Sequence, residues 1–256
     1  MTRGLSCALA LLALVLIPSG AMADEPPRLR VCVSDAAVPP YLSGNPDRPG
    51  VTERLLLDSG QRLGLTIELL RWPARRCLDQ LRLGQVEAGV GAPTPGNLAD
   101  FDFPGQPPPD PSYRLAHTAL VLVTRRDSEL RWDGRQLQSG ARPPQIGVRN
   151  GFRLALDQLR LLGVEASAAP AQAAQQLRML ALGRFDGVAL IREEVEGNLA
   201  RPEFADLVMS ERPLAESDFY LAASRRLTPA QKELMQRWWE LLARMRDLPA
   251  YRPVSP

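Results

Sequence analysis

The chain has 256 residues, 45% of them hydrophobic, and a formal net charge of +2 from 31 basic and 29 acidic residues. Acids and arginines are interspersed and no basic block occurs, which argues against a nucleic-acid-binding protein. After the N-terminal segment, no stretch is long and apolar enough to suggest a membrane span. These features indicate a globular chain large enough for one big domain or two small lobes.

The first 23 residues have the three parts of a secretory signal peptide. Arg3 supplies a positive start, residues 5–17 are apolar, and residues 21–23 (AMA) form a small-residue cleavage pattern. A membrane anchor is the alternative, but the apolar run is shorter than the roughly 20 residues of a span and Pro18 follows it. We therefore expect cleavage after residue 23 and a secreted mature chain that begins near Asp24.

The first half of the mature chain alternates strand and helix patterns. Residues 29–34 and 65–70 are predicted strands that flank a predicted helix at residues 51–63. The phrase LRLGQVEAGVG then occupies residues 81–91. It ends a helix at Gly84, which can adopt the left-handed conformation of a helix C-terminus, and it continues into a short apolar run that is typical of a buried parallel strand.

A similar phrase, LALGRFDGVAL, recurs at residues 180–190, with Gly183 as the helix end. The half that contains it restarts with a predicted strand at residues 145–148 and a predicted helix at residues 154–162. The repeat therefore predicts two similar α/β halves, each with a mainly parallel sheet, and not a solenoid.

Two strand-like runs would cross between the halves, at residues 119–124 and 218–224. A final helix begins at Thr228, a good N-cap, with proline in its first turn. Its two tryptophans are expected to pack in the core. The expected lobe 1 comprises residues 24–121 and 220–256, and the expected lobe 2 comprises residues 122–219.

Two cysteines remain in the mature chain, Cys32 and Cys77. An even number in a secreted protein favours a disulfide, and two buried thiols are the alternative. The bridge would close a loop of about 45 residues and contribute on the order of 4 kcal/mol. Two cysteines and one distant histidine, His117, cannot supply four zinc ligands, so we predict neither a metal site nor a cofactor.

Seven stretches occur in an order that points to a known family, and together they cover nearly all of the mature chain. They are LRVCVSDAAVPPYL, GVTERLLLDSGQRLGLTIELLRWP, CLDQLRLGQVEAGVGAPTP, FDFP, IGVRNGF, LALGRFDGVAL and FYLAASRRL. The chain resembles the family 3 extracytoplasmic solute-binding proteins, relatives of the amino-acid-binding components of ABC importers.

The resemblance implies an α/β fold of the two-lobed type II periplasmic binding protein class. Each lobe would be a mainly parallel sheet flanked by helices, and two hinge strands would join the lobes, which close over a solute by hinge motion. The implied protein is a periplasmic monomer that is not an enzyme. Its partners would be a small-molecule solute and an ABC permease or another periplasmic or membrane protein.

Ligands of open α/β sheets bind beyond the carboxyl ends of the strands, so the loops after the predicted strands are the candidate site. In chain order the candidates are Asp35, Tyr41, Trp72, Arg75, Arg76, Gly91, Thr94, Asn97, Asn150, Gly151, Phe152, Arg192 and Glu193. With Arg149 included, these loops are more cationic than acidic. They favour a polar or anionic organic solute.

The roles of several of these residues have two interpretations. Tyr41 could contact a solute or only stiffen a turn. Trp72 offers an apolar wall, and the arginines beside it could reach an anion or remain in solvent. Asn150 lies before a predicted helix N-terminus, which attracts anions, and it could instead be the N-cap. Arg192 and Glu193, on a predicted loop, could face the cleft or water.

Two positions depart from the pattern of amino-acid binders. Asn97 stands where the resemblance expects an arginine that clamps the solute's carboxylate. Ile191 and Arg192 occupy the neighbourhood of the aspartate that would bind the solute's ammonium group. We therefore expect the usual α-amino-acid clamp to be missing.

Other functions on the same fold stay open at this point. The chain could be a stand-alone sensor or a partner-binding protein. A periplasmic dehydratase of prephenate-like substrates would need a general acid, for which Glu193 and Glu194 are the obvious candidates. The proline-rich segment at residues 103–111 is expected to be a surface loop that edges the cleft, with docking of a partner as the alternative.

Overall fold

The computed structural model describes residues 26–253. The predicted signal peptide and its cleavage site lie outside the described residues. Within residues 26–253, no helix combines the length and the apolar character that a membrane crossing requires.

The described chain alternates strands and helices, as predicted. The α-helices are α1 (Val51–Arg62), α2 (Ala74–Leu83), α3 (Pro95–Asp100), α4 (Arg153–Leu161), α5 (Ala173–Ala181), α6 (Arg192–Leu199) and α7 (Pro229–Arg246). The strands are β1 (Arg28–Ser34), β2 (Thr66–Trp72), β3 (Ala88–Gly91), β4 (Phe101–Asp102), β5 (Ala116–Arg125), β6 (Arg131–Trp132), β7 (Leu137–Gln138), β8 (Ile146–Arg149), β9 (Ala166–Ala169), β10 (Gly187–Ile191), β11 (Leu207–Met209) and β12 (Ala215–Ser224).

The main strands form one curled sheet in the order β2-β1-β3-β12-β5-β10-β8-β9. At one end, β1 runs parallel to both β2 and β3. At the other end, β8 runs parallel to both β9 and β10. The predicted two-lobed α/β fold is confirmed. Lobe 1 is built on β1, β2 and β3 with α1, α2, α3 and α7, and lobe 2 on β8, β9 and β10 with α4, α5 and α6.

Strands β5 and β12 join the lobes. Residues 215–219 of β12 pair antiparallel with residues 116–120 of β5, and residues 220–223 of β12 continue along β3 in lobe 1. Residues 120–124 of β5 continue along β10 in lobe 2. Both strands are longer than predicted. Polar residues interrupt the apolar pattern where the strands cross, so the sequence pattern covers only part of each strand.

The helix ends follow the predicted local chemistry. Helix α2 ends at Gly84, which has a left-handed φ of 72°. The Thr228 hydroxyl caps α7 by accepting a hydrogen bond from the Gln231 amide. Trp238 and Trp239 are buried, and their ring nitrogens donate to Ser59 Oγ and to the Leu221 carbonyl. The predicted packing role of these tryptophans is confirmed.

Two short helices were not predicted. Helix α3 lies within a stretch whose prolines and glycines are typical of a loop. Helix α6 contains Arg192 and Glu193 in its first turn, so the prediction of a loop there is wrong. The helix starts at this point because the Glu194 carboxylate accepts a hydrogen bond from the Ile191 amide at 3.0 Å.

The predicted disulfide between Cys32 and Cys77 is present, with a Cα–Cα distance of 5.6 Å. It ties helix α2 to strand β1 over a separation of 45 residues. This bond holds the start of α2, and the loop before it, against the edge of the cleft.

Candidate functional site

A cavity of about 120 Å³ lies between the two lobes. Lobe 1 supplies Tyr41 and Asn97 to its wall, lobe 2 supplies Arg149 and Arg153, and Thr118 comes from the crossing strand β5. Most of the remaining wall is apolar. An engineered cavity of roughly 150 Å³ holds benzene, so the closed site suits a solute of about that size.

Arg149 forms the most buried charged part of the wall. Its side chain is 7% exposed, and its two terminal nitrogens donate to the Glu194 carboxylate at 2.5 and 3.1 Å. The Phe152 ring lies 4.4 Å from the guanidinium carbon. The bidentate pair and the ring fix the guanidinium in one orientation at the cavity.

Arg153 begins helix α4 in lobe 2 and reaches across the cleft. It donates to Asn97 Oδ1 at 2.9 Å and to Asp100 Oδ2 at 2.7 Å, both in lobe 1. The Asn97 amide nitrogen in turn donates to the Ala92 carbonyl at 2.8 Å. Both polar ends of Asn97 are therefore engaged within the protein.

Glu193 contacts the crossing strand, and its charge lies near Tyr41 of lobe 1. Its carboxylate accepts a hydrogen bond from the Thr118 hydroxyl. Burial, followed by the charge and the hydrogen bond of Glu193, raises the pKa of Tyr41 to about 12. Because Thr118 directs its hydroxyl proton to Glu193, its oxygen offers a lone pair to the cavity, and Tyr41 contributes its hydroxyl group to the same wall. Glu193 is half-buried and stands behind Thr118, and it is not part of the cavity wall itself.

The lobes also touch through backbone. Gly151 has a φ of 80°, and a Cβ atom there would lie 2.3 Å from Arg75 N and 2.6 Å from Arg75 Cα. At the rim, the Gln172 side-chain amide donates to the Asp35 carbonyl at 3.0 Å. The described conformation is thus closed, with protein contacts on several sides of the cavity.

Five of the predicted site residues line the cavity: Tyr41, Gly91, Asn97, Gly151 and Phe152. They come from the loop after β1, from β3 and α3, and from the loop between β8 and α4. The strand-end rule therefore selected loops that meet at this cavity.

The other lobe 1 candidates lie outside the cavity wall. Asp35 is at the rim, and Thr94 caps α3 by accepting from the Asn97 amide at 3.3 Å. The Arg76 guanidinium stacks 4.2 Å from the Trp72 ring centre. The Arg75 side chain is 69% exposed, so only its backbone takes part in the cleft.

In lobe 2, Asn150 is exposed and does not cap α4, whose N-cap is Phe152. Arg192 is half-buried in the first turn of α6 and does not line the cavity. Sequence reasoning did not select Thr118, Arg153 and Phe219, which line it. The position of Arg153, at the start of a helix that follows a cleft loop, was the available signal.

Replacing Gly151 with alanine should prevent full closure, because the new methyl group would overlap the Arg75 backbone. Gly163→Ala is the matched control, since Gly163 has a similar φ of 73° and no atom within 4 Å of the added Cβ. Both variants carry the strain of a left-handed alanine, about 1–2 kcal/mol. Small-angle X-ray scattering should give a larger radius of gyration for Gly151→Ala alone. Equal radii for the two variants would contradict this account of closure.

Among the described residues, no group of three or more His, Cys, Asp or Glu side chains could hold a metal ion. No protein-family model matches the sequence, and comparison with curated proteins finds no match.

Solved structures share the fold across most of the chain. A histidine kinase sensor domain with similarity to periplasmic binding proteins is 20% identical, with a TM-score of 0.68 over 88% of this chain and 93% of that one. The substrate-binding protein of an amino acid ABC transporter is 15% identical, with a TM-score of 0.67 over 88% of this chain and 95% of that one.

The GluR0 ligand-binding core from Nostoc punctiforme, in complex with L-glutamate, is 15% identical. Its TM-score is 0.66, over 87% of this chain and 95% of that one. At these identities the comparisons establish architecture. The chain has the fold of the periplasmic solute-binding proteins.

Proposed function

We propose that this protein is a periplasmic solute-binding protein that captures a small polar or anionic organic solute between its lobes. One observation carries the proposal. Both lobes and a crossing strand line a single cavity, and the lobes are closed over this cavity. Such inter-lobe clefts are common ligand sites, because closure withdraws most of the ligand's surface from water.

The lining suggests what the solute offers. Arg149 and Arg153 present N–H donors, Thr118 presents an oxygen acceptor and Tyr41 a hydroxyl group, and apolar side chains lie between them. A compact molecule with an apolar body and polar groups at its ends matches this arrangement. The volume of about 120 Å³ favours a solute of roughly six non-hydrogen atoms, by comparison with benzene.

We infer that the usual α-amino-acid clamp is absent. Asn97, in place of the clamping arginine, is already bonded to Ala92 and Arg153. Ile191 supplies an apolar wall where the acid for an ammonium group would stand. A standard α-amino acid would therefore leave its charged groups without their expected partners.

The contacts of the two candidate acids, Glu193 and Glu194, favour binding over catalysis. Glu193 accepts a hydrogen bond from the Thr118 hydroxyl, and Glu194 is held by Arg149. A general acid of a dehydratase needs a proton to deliver to the substrate. Both carboxylates are instead engaged as acceptors, which supports a binding role.

We propose that the signal peptide is cleaved and that the mature chain is a monomer. Its first lobe comprises residues 24–121 and 220–256, and its second lobe comprises residues 122–219.

ABC-type import is the proposed use of the captured solute, supported by likeness to an amino acid ABC transporter component. A stand-alone sensor or partner-binding role is the second candidate, and the likeness to a histidine kinase sensor domain favours it. Solute uptake by cells with and without the gene separates these two uses.

A thermal-shift screen of residues 24–256 tests the proposal. The protein is first unfolded and refolded to remove any solute that co-purified with it. It is then heated with short-chain organic acids, their amides, sugars, polyamines and standard amino acids. A solute at about 100 times its dissociation constant should add roughly 2.7 kcal/mol of stability. We expect hits among the small organic acids or amides, and none among standard amino acids. A flat screen would contradict the proposal.

A further inference from the structure

The ion pair between Arg153 and Asp100 joins the two lobes directly. Arg153 is the first residue of α4 in lobe 2, and Asp100 is the last residue of α3 in lobe 1. Their side chains are 28% and 29% exposed, so most of each side chain is withdrawn from solvent. Salt screens such a partly buried pair less than a surface pair. The contact can therefore contribute to closure under physiological conditions.

Arg153 contacts a second side chain of lobe 1 in addition to the Asp100 carboxylate. Its other terminal nitrogen donates to Asn97, whose amide group is itself anchored on the Ala92 carbonyl. Two donors on one guanidinium thus bridge to two side chains of helix α3. This double attachment fixes the angle between α4 and α3 as well as their separation.

We propose that Arg153 is a built-in clasp that holds the lobes closed before any solute arrives. In the amino-acid-binding pattern, an arginine at the position of Asn97 would reach the solute. Here an arginine of the opposite lobe reaches Asn97 itself, so the chain supplies the bridge between the lobes. In this scheme Arg153 both bridges the lobes and forms part of the cavity wall, where it limits the size of the cavity.

The consequence for binding rests on the proposed function. When the cleft is already closed for most of the time, solute binding has to shift the open–closed equilibrium only slightly. Its apparent dissociation constant equals the intrinsic constant divided by the closed fraction. Loss of the clasp should therefore weaken solute binding by at least the factor by which it lowers the closed fraction, since Arg153 also lines the cavity.

The clasp is tested on solute-free protein, unfolded in guanidinium chloride with the disulfide intact and then refolded. Small-angle X-ray scattering compares the unmodified chain with Arg153→Gln. Arg160→Gln is the matched control, because Arg160 lies on the same helix and pairs with Asp157 at 2.9 Å within lobe 2. Gly151→Ala provides the open reference. We expect a compact radius of gyration for the unmodified chain and for Arg160→Gln, and a larger one for Arg153→Gln.

Two results would overturn the clasp. One is an unmodified, solute-free chain with the same large radius of gyration as Gly151→Ala. The other is an Arg153→Gln variant that stays as compact as the unmodified chain. Circular dichroism checks that each variant is folded, and Asp100→Asn removes the same ion pair from lobe 1 if Arg153→Gln does not fold. Because no solute is present, a failed solute screen does not affect this measurement.

Discussion

Replacing Arg149 with methionine should destabilise the protein by about 3–5 kcal/mol, since it leaves the Glu194 carboxylate buried without its cation. The Glu194 side chain is 0% exposed and the Arg149 side chain 7%, so the pair is shielded from bulk solvent. Removing one member of a buried pair exposes the full cost of burying the other charge. Urea denaturation followed by circular dichroism measures the change.

Two further variants separate the charge effect from the loss of packing. Arg149→Met combined with Glu194→Gln removes both charges and should recover much of the stability, because the new side-chain amide oxygen can still accept from the Ile191 amide. Arg160→Met breaks the exposed pair with Asp157 and should cost about 0.5 kcal/mol or less. A cost for Arg149→Met as small as that of Arg160→Met would contradict the buried-pair account.

Removing the disulfide by replacing Cys32 and Cys77 with serine should lower the free energy of unfolding by about 4 kcal/mol. The bond closes a loop of 45 residues, and the chain-entropy model assigns that amount to a loop of this length. Both cysteines pack with one cluster that includes Leu81 and Phe101, so α2 should lose its attachment to β1 near the cleft. Thermal melting of the double-serine variant measures the effect.

Reduction offers a control for the serine substitutions. The unmodified protein in excess dithiothreitol should melt at nearly the same temperature as the double-serine variant in either redox condition. The variant itself should not respond to dithiothreitol. If reduction leaves the melting of the unmodified protein unchanged, the disulfide does not contribute to stability as stated.

The fold was predictable because its signals are local. The two phrases that contain Gly84 and Gly183 each encode a helix, its end and the strand after it, and both give those elements in the structure. Helix α3 was not predicted because it has six residues, and its Thr94 cap lies in a stretch that is otherwise typical of a loop. Helix α6 was missed because its first turn is charged and shows little apolar periodicity.

The site was predictable only as a set of loops. The strand-end rule placed Tyr41, Gly91 and Gly151 at the cleft without further information. It could not assign partners, since Arg153 and Asp100 are 53 residues apart. It also passed over Thr118, which lies within a strand and not at its end. Such contacts depend on how the lobes close, and no local pattern encodes that geometry.

Gly91 is a suitable place to block the cavity. It lines the cavity, and a Cβ atom added there would meet only the Asn97 amide nitrogen, at 3.6 Å. Leucine at this position should therefore be tolerated by the backbone while its side chain fills space that the solute would occupy. The variant should remain folded and lose binding.

Calorimetric titration of the best solute from the screen, into the unmodified chain and into Gly91→Leu, tests the central claim most directly. We expect one solute per unmodified chain and at least tenfold weaker binding to Gly91→Leu, with both proteins equally folded. Equal affinities for the two proteins would place the solute outside the cavity between the lobes and would contradict the proposed site.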